Sequence, residues 1–296
     1  MSIIEQIKQK LPLSFFTIVW KWRLKKYYLW KIRFLIKAKV TPIKVLPKKQ
    51  PKILYIVGMP RTGSTLVKRF LGEHEHLKIL PKKLYQKSYE LALENNGDQI
   101  LVDKSTDNID QIHNIHDLAG ENAWFLGVIR DPRDELTSLS ETDRHSAVPH
   151  NRTFWPYWVI RYSRLLESFK VIANHGSNVA IVRYEDLVQN PVAIKKLFGD
   201  WLNLDMNDIT SEYSSRVEEI ADGANKSEDW KVHQHNAVHN DSLYRWKKAD
   251  KNIRETACVW KNYKPAKNIM YKFGYDNDQV LPIDVIEGVT VFNTKQ

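Results

Sequence analysis

Apolar residues fall along this chain in short, nearly continuous runs separated by amphipathic stretches. The runs at 52–57, 99–103, 124–130 and 178–184 are rich in Val, Ile, Leu and aromatics. That density predicts strands buried on both faces rather than the alternation of a half-exposed strand. Between the runs, apolar positions recur at helical spacing, as in Leu66, Val67, Phe70 and Leu71. The spacing predicts helices over 64–74, 107–119, 132–142, 153–175 and 191–203. Strand alternating with helix predicts an α/β fold of three layers with a mostly parallel central sheet. A ligand then belongs at the carboxyl ends of the strands.

Length allows one large domain of this kind: the chain has 296 residues. Its single cysteine, Cys258, rules out an internal disulfide framework and a four-cysteine zinc site. Cysteine poverty fits a reducing compartment, so a cytoplasmic location is expected. The net charge of +10 is concentrated at one end. Residues 1–50 hold 13 Lys/Arg and one acid, Glu5, whereas the rest carries 32 basic and 34 acidic groups. A broad nucleic-acid-binding face on the main domain is therefore not expected. The natural division is a basic, aromatic extension over 1–50 and a main domain over 51–296, joined through Pro42, Pro47 and Pro51.

In the extension, the apolar run Leu11–Trp20 is half the length of a membrane span. Its stronger charge cluster follows the run (Lys21, Arg23, Lys25, Lys26), the reverse of a signal peptide. Two readings stand. One is a helical extension packed on the domain. The other is weak contact with an anionic membrane surface, which would make the protein peripheral. The apolar positions form no single helical stripe, which favours the first.

The first buried run leads directly into Gly58-Met59-Pro60-Arg61-Thr62-Gly63-Ser64-Thr65 and then a helix. Strand, glycine-rich turn and helix aim backbone N–H groups and the positive helix end at an anion. The spacing is P-loop-like, but the lysine of a Walker A loop is missing. Arg61 inside the loop supplies the cation instead, and a guanidinium suits a forked grip on phosphate or sulfate. A second run ends in Arg130-Asp131-Pro132-Arg133-Asp134-Glu135, with Ser138 two turns further. Asp131 suits a helix cap, Pro132 the first position, and the two acids the first turn.

These two motifs resemble those of sulfotransferases that use 3′-phosphoadenosine 5′-phosphosulfate (PAPS). The Arg-type loop is similar to that of tyrosylprotein, carbohydrate and many bacterial members. Three further segments fit in order: Val102-Asp103-Lys104-Ser105-Thr106, Arg183-Tyr184-Glu185-Asp186-Leu187 with Pro191, and Ser242-Leu243-Tyr244-Arg245-Trp246. The resemblance covers about residues 52–275. It implies that Arg61, Thr62, Gly63, Ser64 and Thr65 hold the 5′-phosphosulfate and that Arg130 and Ser138 hold the 3′-phosphate. It further implies nucleotide contacts from Tyr184, Ser242, Arg245 and Trp246, with Lys104 neutralising charge on the leaving oxygen. PAPS would be the co-substrate, adenosine 3′,5′-bisphosphate the product, a small molecule the acceptor, and no metal would be needed.

A general base is also required. Where the resemblance places a glutamate, this chain has Lys82 and Lys83. His116 is the leading candidate, with His113, Glu90 and Asp103 beside it. His233, His235 and His239 lie in a polar stretch, 229–240, that reads as a loop over the site. Two competing functions share the loop geometry: a P-loop kinase or other phosphotransferase, and a nucleotide-binding protein without catalysis. The absent lysine argues against the first, and the presence of Arg61 and Lys104 against the second.

Overall fold

A computed structural model describes residues 10–22, 52–80, 85–94, 99–141, 151–207, 238–276, 280–283 and 286–292. Six strands form one sheet: β1 (Ile53–Gly58), β2 (Leu77–Ile79), β3 (Ile100–Lys104), β4 (Ala123–Ile129), β5 (Asn178–Arg183) and β6 (Thr290–Phe292). Their spatial order is β2-β3-β1-β4-β5-β6, and every neighbouring pair is parallel. The helices are α1 (13–22), α2 (Ser64–Gly72), α3 (Tyr85–Glu94), α4 (Ile112–Ala119), α5 (Pro132–Ser140) and α6 (Phe154–Asn174). They continue as α7 (Tyr184–Gln189), α8 (Pro191–Leu202), α9 (Lys251–Ala257) and α10 (Lys264–Lys272).

The four predicted strands are the four central ones, each buried on both faces as their composition demands. Along β1, Ile53, Tyr55 and Val57 join one apolar cluster and Leu54 and Ile56 the other. The first cluster, rich in aromatics, is built on α6, where Trp155, Trp158, Tyr162 and Phe169 are fully buried. The second joins α2 and α8 through Phe70 and Phe198. This is the three-layer α/β arrangement. At Gly127 in β4, an added Cβ would lie 2.7 Å from a ring carbon of Phe169, so α6 sits close on the sheet because no side chain intervenes.

The chain leaves β1 toward β3 on one side and resumes with β4 on the other. β1 is therefore the point where strand order reverses, and a crevice opens beside its carboxyl end. The edge strands β2 and β6 have three residues each, too few for their spacing to be read in the sequence.

α1 packs against this body with one face. Phe16 is buried, Leu13 and Trp20 lie against the α6-side cluster, and the Thr17 and Tyr263 hydroxyls are 2.7 Å apart. The proline-bearing stretch 23–51 lies outside the described residues. Among those described, no helix is long and apolar enough to cross a membrane.

Candidate active site

Four adjacent strand ends carry most of the residues singled out in the sequence. The loop Gly58–Thr65 follows β1, Lys104 ends β3, Arg130 follows β4, and Tyr184 follows β5. Sheet register puts Lys104 opposite Ile56, Gly58 opposite Val128, and Ile129 opposite Arg183. The cluster is thus a consequence of parallel pairing at the switch point.

The loop turns through two residues in left-handed backbone conformation, Arg61 (φ 76°) and Gly63 (φ 88°). Gly63 caps α2, and a Cβ there would meet the Tyr184 ring at 2.3 Å. Only glycine lets the loop and β5 end approach so closely. Thr62 is buried, with its hydroxyl donating to the Met59 carbonyl at 2.9 Å, so it closes the turn. Ser64 and Thr65 open α2, whose first-turn N–H groups have no carbonyl partner within the helix.

The two motifs meet. Arg61 Nε donates to Ser138 Oγ at 2.9 Å across 77 residues of sequence. Arg130 donates through Nη1 to the Arg61 carbonyl at 3.2 Å and through Nη2 to the Ser242 carbonyl at 2.5 Å. Its guanidinium lies 4.4 Å over the Tyr184 ring. Its Nε is buried and meets no hydrogen-bond acceptor among the described residues, so one strongly donating group is held ready for an anion. Burial alone would disfavour the Arg130 charge. Tyr184, Asp134, Glu185 and Glu135 outweigh it and hold the guanidinium ionised.

The start of α5 is as its sequence predicts. Asp131 caps it by accepting from the Arg133 N–H, Pro132 takes the first position, and Asp134 and Glu135 fill the first turn. Those acids have structural work that sequence reading missed. Asp134 accepts the Tyr244 N–H at 2.8 Å and the Trp246 N–H at 3.0 Å, pinning the 242–246 segment over Arg130. Arg133 is paired with Asp131 at 2.7 Å and lies 4.5 Å from the Trp246 ring. Arg245 pairs with Glu141 at the other end of α5. Glu185 accepts the Asp131 N–H at 2.9 Å and the Tyr275 hydroxyl at 2.8 Å. Burial, opposed by Arg130 and by backbone donors, raises Asp134 to about 6 and Glu185 to about 7. The one signal for this network in the sequence is the density of acids around Arg130. Apart from the Asp131–Arg133 pair, their partners lie 27 to 112 residues away.

The base candidates separate. His116 is not brought to the cluster: its Nδ1 lies 2.8 Å from Ser177 Oγ, just before β5, at the amino-terminal edge of the sheet. His113 on the same helix faces Ser168 of α6 at 3.1 Å. Helical spacing put both on one face but could not say which end of the sheet that face meets. Glu90 pairs with Lys87 at 3.0 Å on a solvent-facing part of α3. Asp103 lies near the carboxyl end of β3, one residue before Lys104. It is 1% exposed, and Asn108 Nδ2 donates to it at 3.3 Å. Burial, against weaker opposing effects of Ser88, Asn108 and Lys104, raises its carboxyl to about 6. His233, His235, Lys82 and Lys83 lie outside the described residues, and His239 stands 3.4 Å from Asp241.

Residues 75–208 match the model of a sulfotransferase family. The match places this stretch among the sulfotransferases. It holds Lys104, Arg130, Ser138 and Tyr184, while the Arg61 loop precedes it. No curated protein matches the chain. Among solved structures, the sulfotransferase domain of the Synechococcus PCC 7002 olefin synthase is 16% identical, with a TM-score of 0.47 over 73% of this chain and 97% of that one. STF9 from Mycobacterium avium is 12% identical (TM-score 0.45, covering 83% and 82%). Mouse sulfotransferase SULT7A1, complexed with PAP, is 11% identical (TM-score 0.44, covering 74% and 88%).

Proposed function

We propose that this chain is a sulfotransferase that moves a sulfuryl group from PAPS to a hydroxyl or amine of a small acceptor. The observation that supports this most is the junction of Arg61, Ser138 and Arg130, two anion-binding motifs joined side by side at one switch point. A nucleotide with phosphates at both the 5′ and 3′ positions calls for two such sites. PAPS, when bound, supplies the activated sulfuryl group and a phosphate leaving group.

In this reading the Gly58–Thr65 loop and Arg61 hold the 5′ side. Arg130 and Ser138 hold the 3′-phosphate, and Tyr184, Ser242, Arg245 and Trp246 enclose the nucleotide. The acceptor heteroatom bonds to sulfur as the bond from sulfur to the phosphate oxygen breaks. Lys104 and Arg61 meet the charge that grows on that oxygen, and such preorganised cations supply much of a group-transfer rate. The acceptor proton goes to Asp103, whose carboxyl titrates at about 6 and so suits a base near neutrality. Two cations do the work that a metal would do in a phosphotransferase. The transferring unit is residues 51–296.

The test is turnover by the full chain with PAPS and a panel of phenols, alcohols, sugars and amines, read as release of adenosine 3′,5′-bisphosphate. Acceptor-dependent release is expected. Phosphate transfer from ATP to the same panel, with PAPS unused, would establish the phosphotransferase instead.

A further inference from the structure

The 242–246 segment is a strap across the carboxyl ends of the strands. Leu243 lies against the apolar cluster on the α2 side of the sheet, and Trp246 against the one on the α6 side. The Ser242 carbonyl receives Arg130 Nη2, so the strap passes directly beside the Arg130 guanidinium. All five of its residues are only half-buried, so apolar contact alone holds it loosely.

Asp134 supplies a firmer hold. Tyr244 is left-handed (φ 55°) and precedes the right-handed turn Arg245–Lys248. Neighbouring residues of opposite hand aim nearby N–H groups into one concavity that receives an anion. Here the anion is a side chain: Asp134 Oδ2 accepts the Tyr244 N–H at 2.8 Å, and Oδ1 accepts the Trp246 N–H at 3.0 Å. Both oxygens of one carboxylate are thus committed to the backbone of the strap. The acid is 1% exposed, and burial disfavours its charge. It also stands close to Arg130, where a bound phosphate would meet its repulsion. On electrostatic grounds alone a carboxylate is a poor neighbour for an anion site. What Asp134 contributes there is its grip on the strap.

We propose that Asp134 is a positioning residue: it latches the 242–246 strap beside a nucleotide held by Arg130, and so sets how slowly the bisphosphate product leaves. The latch rests on the sulfuryl transfer proposed above, since it needs a nucleotide at Arg130. For product to leave, the strap swings away and two charge-assisted hydrogen bonds break, which are stronger than neutral ones.

The experiment compares the unaltered full chain with Asp134→Asn at pH 8, where the aspartate, titrating at about 6, is charged. The amide offers one acceptor oxygen in place of two, and its NH2 group faces a strap N–H. Release of radiolabelled adenosine 3′,5′-bisphosphate is timed after a chase with unlabelled ligand, and thermal unfolding without ligand shows that the variant folds. Release at least about 10-fold faster from the variant is expected, as for the loss of one charge-assisted hydrogen bond. Equal release would overturn the latch. So would slower release, the result of merely removing a negative charge from beside the phosphate. Both of those outcomes leave sulfuryl transfer standing, whereas an unaltered chain that binds no bisphosphate would overturn the proposed function and the latch together. If the variant does not fold, hydrogen exchange at the Tyr244 and Trp246 amides of the unaltered chain carries the test. Saturating bisphosphate is expected to slow that exchange at least about 10-fold, and unchanged exchange would overturn the latch.

Discussion

Arg61→Gly is expected to abolish sulfuryl transfer while leaving the protein as stable as before. Arg61 occupies a left-handed conformation, φ 76°, that a residue with a Cβ adopts at a cost of about 1–2 kcal/mol. Glycine removes that cost and returns a similar amount through the greater freedom of the unfolded chain, so net stability should move by less than about 1 kcal/mol. The loop keeps its shape, including the Arg61 carbonyl that Arg130 donates to. What disappears is the guanidinium beside Ser138. If that group grips the transferring sulfate and its leaving phosphate, kcat/KM should fall about 10³-fold or more, in line with cations that stabilise such transition states. Melting curves and initial rates on the same preparation check both halves. A variant that keeps activity would remove Arg61 from the site. One that loses activity only because it unfolds would show a structural residue.

The second large effect concerns a buried acid. Asp103 has an ordinary carboxyl value of 3.8 when unfolded and about 6 when folded, because burial penalises its charge. Between those values the folded state keeps a proton that the unfolded state has lost. Stability from this group therefore falls as pH rises through the window, and the loss is complete above about 6. At about 1.4 kcal/mol per unit, the cost at pH 8 is roughly 2–3 kcal/mol. Asp103→Asn cannot ionise and retains hydrogen-bonding groups for Ser88 and Asn108. The variant should match the original protein near pH 4 and exceed it by about 2 kcal/mol at pH 8. It should also turn over at least about 100-fold more slowly, if Asp103 takes the acceptor proton. Unfolding at the two pH values and kcat measure these independently. A variant less stable at pH 8 would show that the Asp103 charge is well solvated or paired after all. Gained stability with unchanged kcat would send the search for the base elsewhere.

The strands that place the site were legible because each is a continuous apolar run closed by a glycine or a charged residue: Gly58, Asp103, Arg130 and Arg183. The two motifs were legible because Gly and Arg in the first, and Arg, Pro and acids in the second, follow an apolar run at close spacing, and the structure joins them through Arg61 and Ser138. What was not legible is everything that depends on partners far along the chain. Asp134 reads as a first-turn helix acid, yet it also grips backbone 110 and 112 residues on. His116 reads as a plausible base, but its helix packs toward Ser177 at the other end of the sheet. The local pattern gives a side chain its helix face. Only packing says what that face meets.

The central claim is that this crevice binds a nucleotide with phosphates at both 5′ and 3′ positions. Thermal unfolding of the full chain with adenosine 3′,5′-bisphosphate, against ADP and AMP, tests it most directly. A ligand at about 100 times its Kd adds about 2.7 kcal/mol, which should raise the midpoint by several degrees at roughly 2–4 °C per kcal/mol. The account predicts that rise for the bisphosphate and a much smaller one for ADP and AMP. An equal or larger rise with ADP would contradict it and make a phosphotransferase the better reading of the same loop.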